Sequence, residues 1–303
     1  MHKALGKVSE MRVLVVYCQK NKRASQAAVS LCTYLRKRRH SFEAMTLEEM
    51  PDCAQVHAES PGILQDTRLR EAFSFMVVLG GDGSILRASR LAVLLGIPIL
   101  GMNYGHLGFL SNRGDASDTS LIDSALAGEC QVEKLPCLEV ELQHGAEGTY
   151  PQRLFALNDV AVNRAPSANI LECAVDISGC HLATLRGDGV VVASSTGSTA
   201  YALSAGGPVV APSNRGLLVV PIAVHALASR PIVTGQDDWV DIDLRPCREG
   251  LEDDPSIQLD GELQTPCQPV DRVRVRNSAL TAELLRQRGE GFYKRFSNVF
   301  LMQ

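Results

Sequence analysis

Two apolar runs lead directly into glycine-rich turns, and this arrangement constrains the fold more than any other feature of the sequence. Phe73–Leu79 runs straight into Gly80–Ser84, and Pro98–Leu100 runs into Gly101–Phe109. Runs that are apolar throughout are typical of strands covered on both faces. Helical periodicity follows the first turn, and strands that alternate with helices predict a parallel sheet. Ligands of such sheets bind at the carboxyl ends of the strands, where both turns lie.

The N-terminal segment continues this alternation of strand and helix. Arg12–Tyr17 is a short β-rich apolar run, and Ala24–Arg39 has apolar residues at helical spacing. The last turn of this helix is basic, from Arg36 to Arg39. Positive charge stabilises a helix C-terminus, so we interpret the run as a solvated helix end and not as a nucleic-acid patch.

The pattern changes at about residue 131, where short β-rich runs are separated by turn residues and helical periodicity becomes weak. One short helix is expected around Ser198–Ser204. The predicted strands are Leu138–Leu142, Ala156–Val162, Glu172–Ile177, Val190–Ala193, Leu217–Ile222, Val240–Leu244 and Asp271–Arg276. Such spacing is typical of an antiparallel β domain.

A chain of 303 residues is long enough for two domains. We predict an α/β N-terminal domain with a parallel sheet over residues 1–130 and a second, mostly antiparallel β domain over residues 131–284. Residues 285–303 are apolar and aromatic, and we expect them to pack back on the first domain.

Charge and cysteine content exclude several classes of partner. Thirty basic residues against 34 acidic ones give a net charge of -4, and aromatic residues make up only 5% of the chain. Neither a nucleic acid nor an anionic membrane surface is therefore an expected partner. Nine scattered cysteines without a C-x-x-C pair indicate a reducing compartment and disfavour a zinc site. No signal peptide or bilayer-length apolar run is visible, so we expect a cytoplasmic protein.

The turn Gly80–Ser84 has the composition of an anion-binding loop. Glycines allow the backbone N–H groups to approach an anion closely, and the N-terminus of the following helix favours negative charge. The aspartate within it, Asp82, would repel a phosphate unless it helps to hold a metal or interacts with an attacking hydroxyl, as phosphoryl transfer requires. The alternative is a tight turn in which Asp82 only caps the helix.

The segment Arg186–Pro208 is a second candidate binding region. It is rich in Gly, Ser and Thr between a strand and a predicted helix start. Its hydroxyl and backbone N–H groups suit a polar ligand, and Tyr201 offers a flat face for a base. A surface linker is the alternative, which the flanking apolar strand residues disfavour.

These segments resemble the NAD kinase family, over about residues 75 to 265. The family's GGDGT loop, its N-x-G-x-L-G-F-L segment, an Asn-Glu pair, a long D-G…G-G-P motif and a P-H-x-L-S-x-R-P-I-V motif all have counterparts in the family's order. The matching segments are Gly80–Ser84, Asn103–Leu110, Asn158–Asp159, Asp188–Pro208 and Val224–Val233. GGDG loops also occur in lipid kinases and phosphofructokinases, so the specificity comes from the set of five.

The resemblance implies transfer of the terminal phosphoryl group of ATP to the 2′-hydroxyl of the adenosine ribose of NAD, giving NADP. Asp82 would be the catalytic residue, and Mg²⁺ would be carried with ATP and not held by assigned protein ligands. The residues implied for the ATP phosphates are Gly80, Gly81, Gly83 and Ser84. The residues implied for NAD are Asp82, Gly83, Phe109, Asn158, Asp159, Asp188, Thr196, Thr199, Ala200, Tyr201 and Ser204. The resemblance also implies a homodimer or homotetramer in which Asp188 reaches NAD bound mainly by a neighbouring subunit, and it implies that Phe109 packs against the adenine.

Three departures from the family pattern are visible. Ser84 replaces threonine, Asp159 replaces glutamate, and Ala193–Ser195 replaces Ser-Thr-Pro. We expect activity to survive them, with weaker affinity for NAD. Two alternatives remain open: a catalytically inactive NAD(P)-binding sensor, and a lipid or sugar kinase that shares only the GGDG loop.

Overall fold

The computed structural model describes two compact units. The residues described are 11–50, 73–105, 108–112, 119–145, 151–225, 230–245, 254–266, 268–289 and 291–301. Unit 1 contains the described residues up to Leu135 and those from Ala282 onward, and unit 2 contains those within Pro136–Thr281.

The elements are numbered here in chain order. The strands are β1 (Arg12–Tyr17), β2 (Ser41–Thr46), β3 (Phe75–Gly80), β4 (Ile99–Asn103), β5 (Gln131–Gln143), β6 (Gln152–Ala156), β7 (Asp159–Asn163), β8 (Leu171–Ile177), β9 (Cys180–Gly187), β10 (Gly189–Ala193), β11 (Leu218–Ile222), β12 (Ile232–Val233), β13 (Trp239–Asp243), β14 (Ser256–Leu259), β15 (Glu262–Leu263) and β16 (Arg272–Arg286). The α-helices are α1 (Lys22–Lys37), α2 (Asp82–Leu95), α3 (Ser120–Leu126), α4 (Tyr201–Ser204) and α5 (Phe292–Phe296). A 3-10 turn, Gly197–Thr199, precedes α4, and a π-helical segment, Ser297–Leu301, follows α5.

Unit 1 is built on a parallel sheet with the strand order β2-β1-β3-β4. The C-terminal part of β16 lies next to β4 in the same parallel sense, where Leu284 pairs with Ile99. Every residue of β3 is buried, as the continuous apolar run predicts. Residues of α1 and α3 share a hydrophobic core with the sheet.

Local signals explain where the helices of unit 1 begin and end. The Asn21 side chain caps α1 by accepting hydrogen bonds from the N–H groups of Arg23 (3.0 Å) and Ala24 (3.2 Å). Helix α2 begins at Asp82, immediately after the capping residue Gly81, and ends at Gly96, whose φ of 65° only glycine adopts readily. Because β3 ends at Gly80, the strand passes into the helix almost without a loop, and this fixes the position of Asp82.

Unit 2 contains strands of two sheets that share a hydrophobic core, and a second buried cluster joins the six-stranded sheet to Ala202 of α4. One sheet has the order β12-β11-β10-β7-β14-β15, and the other contains β16, β13, β8 and β9 together with β5 and β6. The registered pairings within unit 2 are antiparallel. Val160 and Val192 from the first sheet pack in the same buried cluster as Val140 and Val273 from the second. The predicted fold class, a parallel α/β domain with a mostly antiparallel β domain, is confirmed.

Several element predictions need correction. The single strand predicted at Ala156–Val162 is wrong, because the chain forms β6 and β7 with a break at Leu157 and Asn158. The strand predicted at Asp271–Arg276 continues to Arg286. Strands β2 and β9 expose much of their surface and lack the apolar run by which the other strands are recognised. None of the helices whose residues are described has the length and apolar character needed to cross a bilayer.

Candidate active site

The Gly80–Ser84 segment of unit 1 forms the junction between β3 and α2. Gly80 is the last residue of the strand, Gly81 has extended backbone angles, and Asp82 is the first residue of a 14-residue helix. Gly83 is exposed and Ser84 is half-buried. A helix of this length directs its first N–H groups and the positive end of its dipole at this junction, which is the arrangement that binds phosphate.

The Asp82 carboxylate binds the backbone of a second turn in unit 1. Its Oδ2 accepts hydrogen bonds from the N–H groups of Phe109 (2.5 Å) and Leu110 (3.1 Å). Its Oδ1 accepts from the N–H and the hydroxyl of Ser111, both at 3.2 Å. Four donors match the roughly four acceptor positions of a carboxylate. We call residues 109–111 the Asp82-bound turn.

The close approach of this turn explains one glycine of the Asn103–Leu110 motif. A Cβ at Gly108 would overlap the carboxylate atoms of Asp82. At the start of the motif, the Asn103 side chain accepts from the Gly105 N–H (2.9 Å). His106 and Leu107 lie outside the described residues.

Phe109 has aromatic neighbours from its own chain. Its ring centroid lies 5.5 Å from that of Phe300 and 6.2 Å from that of Phe292, in tilted arrangements. The sequence resemblance implied an adenine as the neighbour of this ring, and the described partner is the C-terminal aromatic segment. Phe300 remains partly exposed.

The Asn158–Asp159 pair of unit 2 lies on a turn that a third aspartate holds. The Asp260 carboxylate accepts hydrogen bonds from the N–H groups of Leu157 (3.0 and 3.1 Å), Asn158 (2.7 Å) and Asp159 (3.3 Å). We call residues 157–159 the Asp260-bound turn. Asp260 has a φ of 53°, in the left-handed region that Asp tolerates better than most residues.

Asp159 is a buried acid with another carboxyl nearby. Its exposed fraction is 4%. Burial raises the pKa of Asp159 to about 7, and the charge of Asp260 adds to the effect. Burial disfavours the charged form of a carboxyl, and a like charge does the same. The carboxyl group of Asp159 is therefore partly protonated near neutral pH.

The Ser194–Thr199 segment packs directly on the Asp260-bound turn. The Ser194 N–H donates to the carbonyl of Asn158 (2.8 Å), and the Ser194 hydroxyl donates to that of Leu157 (2.6 Å). A Cβ at Gly197 would overlap the Asn158 carbonyl. The two segments thus approach so closely that only glycine fits at position 197.

Three buried side-chain oxygens in these two segments have no hydrogen-bond partner among the described residues. They are Asn158 Oδ1, Ser195 Oγ and Thr196 Oγ1. Buried polar atoms are nearly always paired, and an unpaired one costs about 1–3 kcal/mol. Two of the three residues, Asn158 and Thr196, are among those that the sequence resemblance assigns to NAD binding.

The remaining predicted NAD residues are more exposed, and Asp188 is separated from Ser194 by the whole of β10. The Thr199 hydroxyl donates to the carbonyl of Thr196 (3.2 Å), and Ala200 links the 3-10 turn to α4. Tyr201 and Ser204 on α4 are exposed. Asp188 is more than half exposed and pairs with Arg164 at 3.0 Å.

Sequence reasoning missed the residues that hold the motif residues in place. Asp260 is separated from its turn by about a hundred residues, and the Ser111 hydroxyl belongs to no predicted motif. The Asp260-Gly261 dipeptide was a possible sequence signal, because Asp and Gly are typical of turns with positive φ, and both residues have positive φ here.

The described residues offer no protein cage for a metal: none of their His, Cys, Asp or Glu side chains form a group of three or more suited to one. A Mg²⁺ ion that serves phosphoryl transfer is usually held by substrate phosphates, waters and one or two carboxylates. Because four donors already bind the carboxylate of Asp82, the residues of Gly80–Ser84 fit an ion that arrives with a nucleotide and is held by its phosphates and by waters.

Comparisons with known proteins identify the family of the chain. The family model for the ATP-NAD kinase N-terminal domain matches residues 13–130, and that for the C-terminal domain matches residues 157–287. The NAD kinase of Methylibium petroleiphilum is 38% identical over 77% of this chain and 76% of its own length.

Two solved structures share the fold. An NAD kinase from Archaeoglobus fulgidus in complex with ATP superposes with a TM-score of 0.68 at 26% identity, covering 96% of this chain and 97% of that one. Yeast NADH kinase in complex with NADH superposes with a TM-score of 0.79 at 22% identity, covering 97% of this chain and 88% of that one.

The fold and the two motif regions define a phosphotransferase. Within that class, the chain belongs to the NAD kinase family.

Proposed function

We propose that the protein transfers the terminal phosphoryl group of ATP to the 2′-hydroxyl of the adenosine ribose of NAD, yielding NADP, ADP and a proton. The observation that carries this proposal is the set of unpartnered buried oxygens on Asn158, Ser195 and Thr196. These oxygens lie within the two segments that match the NAD-binding motifs. Ribose hydroxyls both donate and accept hydrogen bonds, so they are suitable partners for unpaired oxygens of this kind.

Unit 2 is the proposed NAD-binding domain. Asn158 and Asp159 bind the adenosine part through its hydroxyls, and the exposed ring of Tyr201 provides a face for stacking. Thr196, Thr199, Ala200 and Ser204 line the same pocket. The shorter Asp159 side chain supports a longer or water-bridged contact than glutamate would make, and hence a weaker affinity for NAD.

Unit 1 is the proposed ATP-binding domain, with Gly80, Gly81, Gly83 and Ser84 against the donor phosphates. Its supporting observation is the direct strand-to-helix junction, which directs backbone N–H groups at an anion. Mg²⁺ would be held by the ATP phosphates and by waters next to this loop. When bound, Mg²⁺ neutralises charge that develops on the phosphate oxygens.

Asp82 is proposed to orient the 2′-hydroxyl and to accept its proton as the oxygen attacks phosphorus. The four donors that already bind its carboxylate limit how this happens, because a new hydroxyl must replace one of them. The Ser111 hydroxyl is the donor that can leave, since rotation about one side-chain bond frees the position without moving the backbone. Phe109 is proposed to contact NAD with the part of its ring left free by Phe292 and Phe300.

The experiment that tests this function is incubation with NAD, ATP and Mg²⁺, followed by enzymatic detection of NADP. We expect NADP formation that requires all three components. NAD binding without NADP formation would favour the inactive sensor instead. Phosphorylation of a lipid or sugar with no NADP formed would favour the kinase that shares only the GGDG loop.

We also propose that the enzyme is a cytoplasmic homodimer or homotetramer. None of the six described cysteines forms a disulfide, which fits a reducing compartment. The exposure of Asp188 leaves its carboxylate accessible to NAD bound mainly by a neighbouring subunit. Light scattering of the purified protein would give the subunit number, and a monomer at all working concentrations would contradict the assembly.

A further inference from the structure

We propose that Arg286 is a positioning residue for Asp82, acting through the Asp82-bound turn. Arg286 lies at the end of β16, far in sequence from any motif, and its exposed fraction is 2%. The role assigned to it in turnover rests on the proposed function, whereas its effect on the geometry of the turn does not.

The guanidinium binds the carbonyl groups of the same three residues whose N–H groups bind Asp82. Arg286 Nη2 donates to the carbonyl of Phe109 (2.8 Å), and Nη1 donates to those of Leu110 (2.8 Å) and Ser111 (3.3 Å). The N–H groups of the same three residues donate to Asp82. The turn is therefore held between a carboxylate on its N–H side and a guanidinium on its carbonyl side.

Two further charges complete the arrangement. Arg286 Nε donates to Glu133 Oε2 (2.6 Å), and Arg295 Nη2 donates to Glu133 Oε1 (2.6 Å). Burial alone would raise the pKa of Glu133, but Arg286 and Arg295 together hold it below its ordinary value. Glu133 is thus ionised at neutral pH and holds both guanidinium groups in place.

The arrangement does more than fill the core of unit 1. Desolvating a guanidinium costs several kcal/mol, and an apolar side chain would pack at lower cost. Only a planar group with several fixed donors can bind three successive carbonyls while it also binds a carboxylate. Hydrogen bonds in such a chain strengthen one another, so the bonds from Arg286 to the carbonyls strengthen the N–H bonds that hold both oxygens of Asp82.

The test compares Arg286→Gln with Arg286→Lys and with a matched control, Arg274→Gln. Arg274 lies on the same strand and pairs with Asp241 (2.7 and 2.9 Å), so the control also removes an ion-paired arginine of β16. Steady-state kinetics give kcat and the KM values for NAD and ATP. Hydrogen exchange measures the amides of residues 109–111, and thermal unfolding shows which variants are folded.

We expect Arg286→Gln to lower kcat about 30- to 100-fold, because small displacements of a catalytic group have effects of this size, while both KM values change less than about threefold. The amides of residues 109–111 should exchange faster in the same variant. Arg286→Lys keeps the charge, and its kcat should be about tenfold higher than that of Arg286→Gln. Arg274→Gln should lower stability but leave kcat and these amides unchanged.

Three outcomes would overturn the proposal: unchanged kcat and amide protection in Arg286→Gln, a loss confined to KM, or an equal loss of kcat in the Arg274 control. If Arg286→Gln does not fold, Arg286→Lys and Glu133→Gln decide, and both must lower kcat and amide protection. If the wild type forms no NADP, the proposed function fails. The amide protection then decides the positioning role alone.

Discussion

Each unit contains an aspartate that binds three successive backbone N–H groups of a turn, and the two sites differ in charge. Asp82 binds residues 109–111, whose carbonyls face Arg286. Asp260 binds residues 157–159, and this turn carries a second acid, Asp159, which is almost fully buried. The first site balances its carboxylate with buried cations, whereas the second adds a carboxyl whose pKa is raised to about 7.

The difference indicates different tasks for the two turns. A charge-balanced turn is complete without ligand, so it can hold a reacting group in fixed geometry at no cost during the reaction. The Asp260-bound turn is incomplete, because Asn158 Oδ1 has no partner among the described residues and Asp159 resists ionisation. Bound NAD is proposed to complete it. Changes at the first turn should therefore affect kcat, and changes at the second should affect NAD binding.

The largest expected effect is that of Asp82→Asn. The amide offers one acceptor oxygen where the carboxylate offers two, and its NH2 group would face N–H donors of the turn. We expect kcat to fall about 10³-fold, within the range for loss of a proton acceptor, while the Kd for NAD changes less than about threefold. Calorimetric titration with NAD and steady-state kinetics measure the two quantities.

The control for this change is Asp123→Asn, which alters a carboxylate of unit 1 bonded to the Tyr34 hydroxyl (2.5 Å). It should leave kcat within about twofold of the wild type, since such a change lies away from the reacting groups. Equal losses of kcat and NAD affinity in Asp82→Asn would contradict the separation of tasks between the two turns.

The sequence predicts the features of the two sites that neighbouring residues form and misses the contacts between residues far apart in the chain. The apolar run of β3 and the glycines after it predict where Asp82 lies, because strand, turn and helix start are adjacent in the chain. The strand predicted through Leu157 and Asn158 fails because their amides bind Asp260, about a hundred residues away. Arg286 contacts carbonyls some 175 residues earlier, so no local spacing signals it.

The next effect concerns the pH dependence of stability. Since the pKa of Asp159 is raised in the folded state, the folded protein keeps a proton that the unfolded chain loses above about pH 4. The raised pKa therefore has no effect on the free energy of unfolding below that pH, and the free energy of unfolding falls as the pH rises from there to about 7. The loss should amount to about 2–4 kcal/mol.

Asp159→Asn removes this titration. In the absence of ligand, we expect the free energy of unfolding of the variant to increase relative to that of the wild type as the pH rises from 5 to 8. Urea unfolding at each pH measures both values. Glu172→Gln, on a carboxylate of unit 2 that is partly exposed and pairs with Arg186, is the control. Parallel stability curves for Asp159→Asn and the wild type would show that Asp159 is ionised without cost.

A pair of glycine substitutions tests the two turns by displacement. Gly108→Ala places a methyl group on the Asp82 carboxylate, and Gly197→Ala places one on the Asn158 carbonyl. We expect the first to lower kcat about 10- to 100-fold with small changes in KM. The second should raise the KM for NAD about tenfold, the effect of weakening one or two hydrogen bonds.

Gly291→Ala is the control for both, because a Cβ there meets nothing within 4 Å and the residue lies outside the two turns and the phosphate loop. Its effect on folding and on the two turns should be small. The comparison between the turns would fail if Gly108→Ala changed only the KM for NAD, or if Gly197→Ala changed only kcat.

The smallest effect is expected for Ser111→Ala. The variant removes the Ser111 hydroxyl from Asp82 Oδ1 and leaves the three backbone donors in place. If the substrate hydroxyl takes this position during turnover, kcat should change less than about threefold, although the free protein loses about 1 kcal/mol of stability. Ser194→Ala is the counterpart at the second turn, where the hydroxyl bridges Leu157 and Gly197 and has no replacement. Ser194→Ala should raise the KM for NAD about tenfold. A large fall in kcat for Ser111→Ala would instead mean that the Ser111 hydroxyl stays bound to Asp82 throughout the reaction.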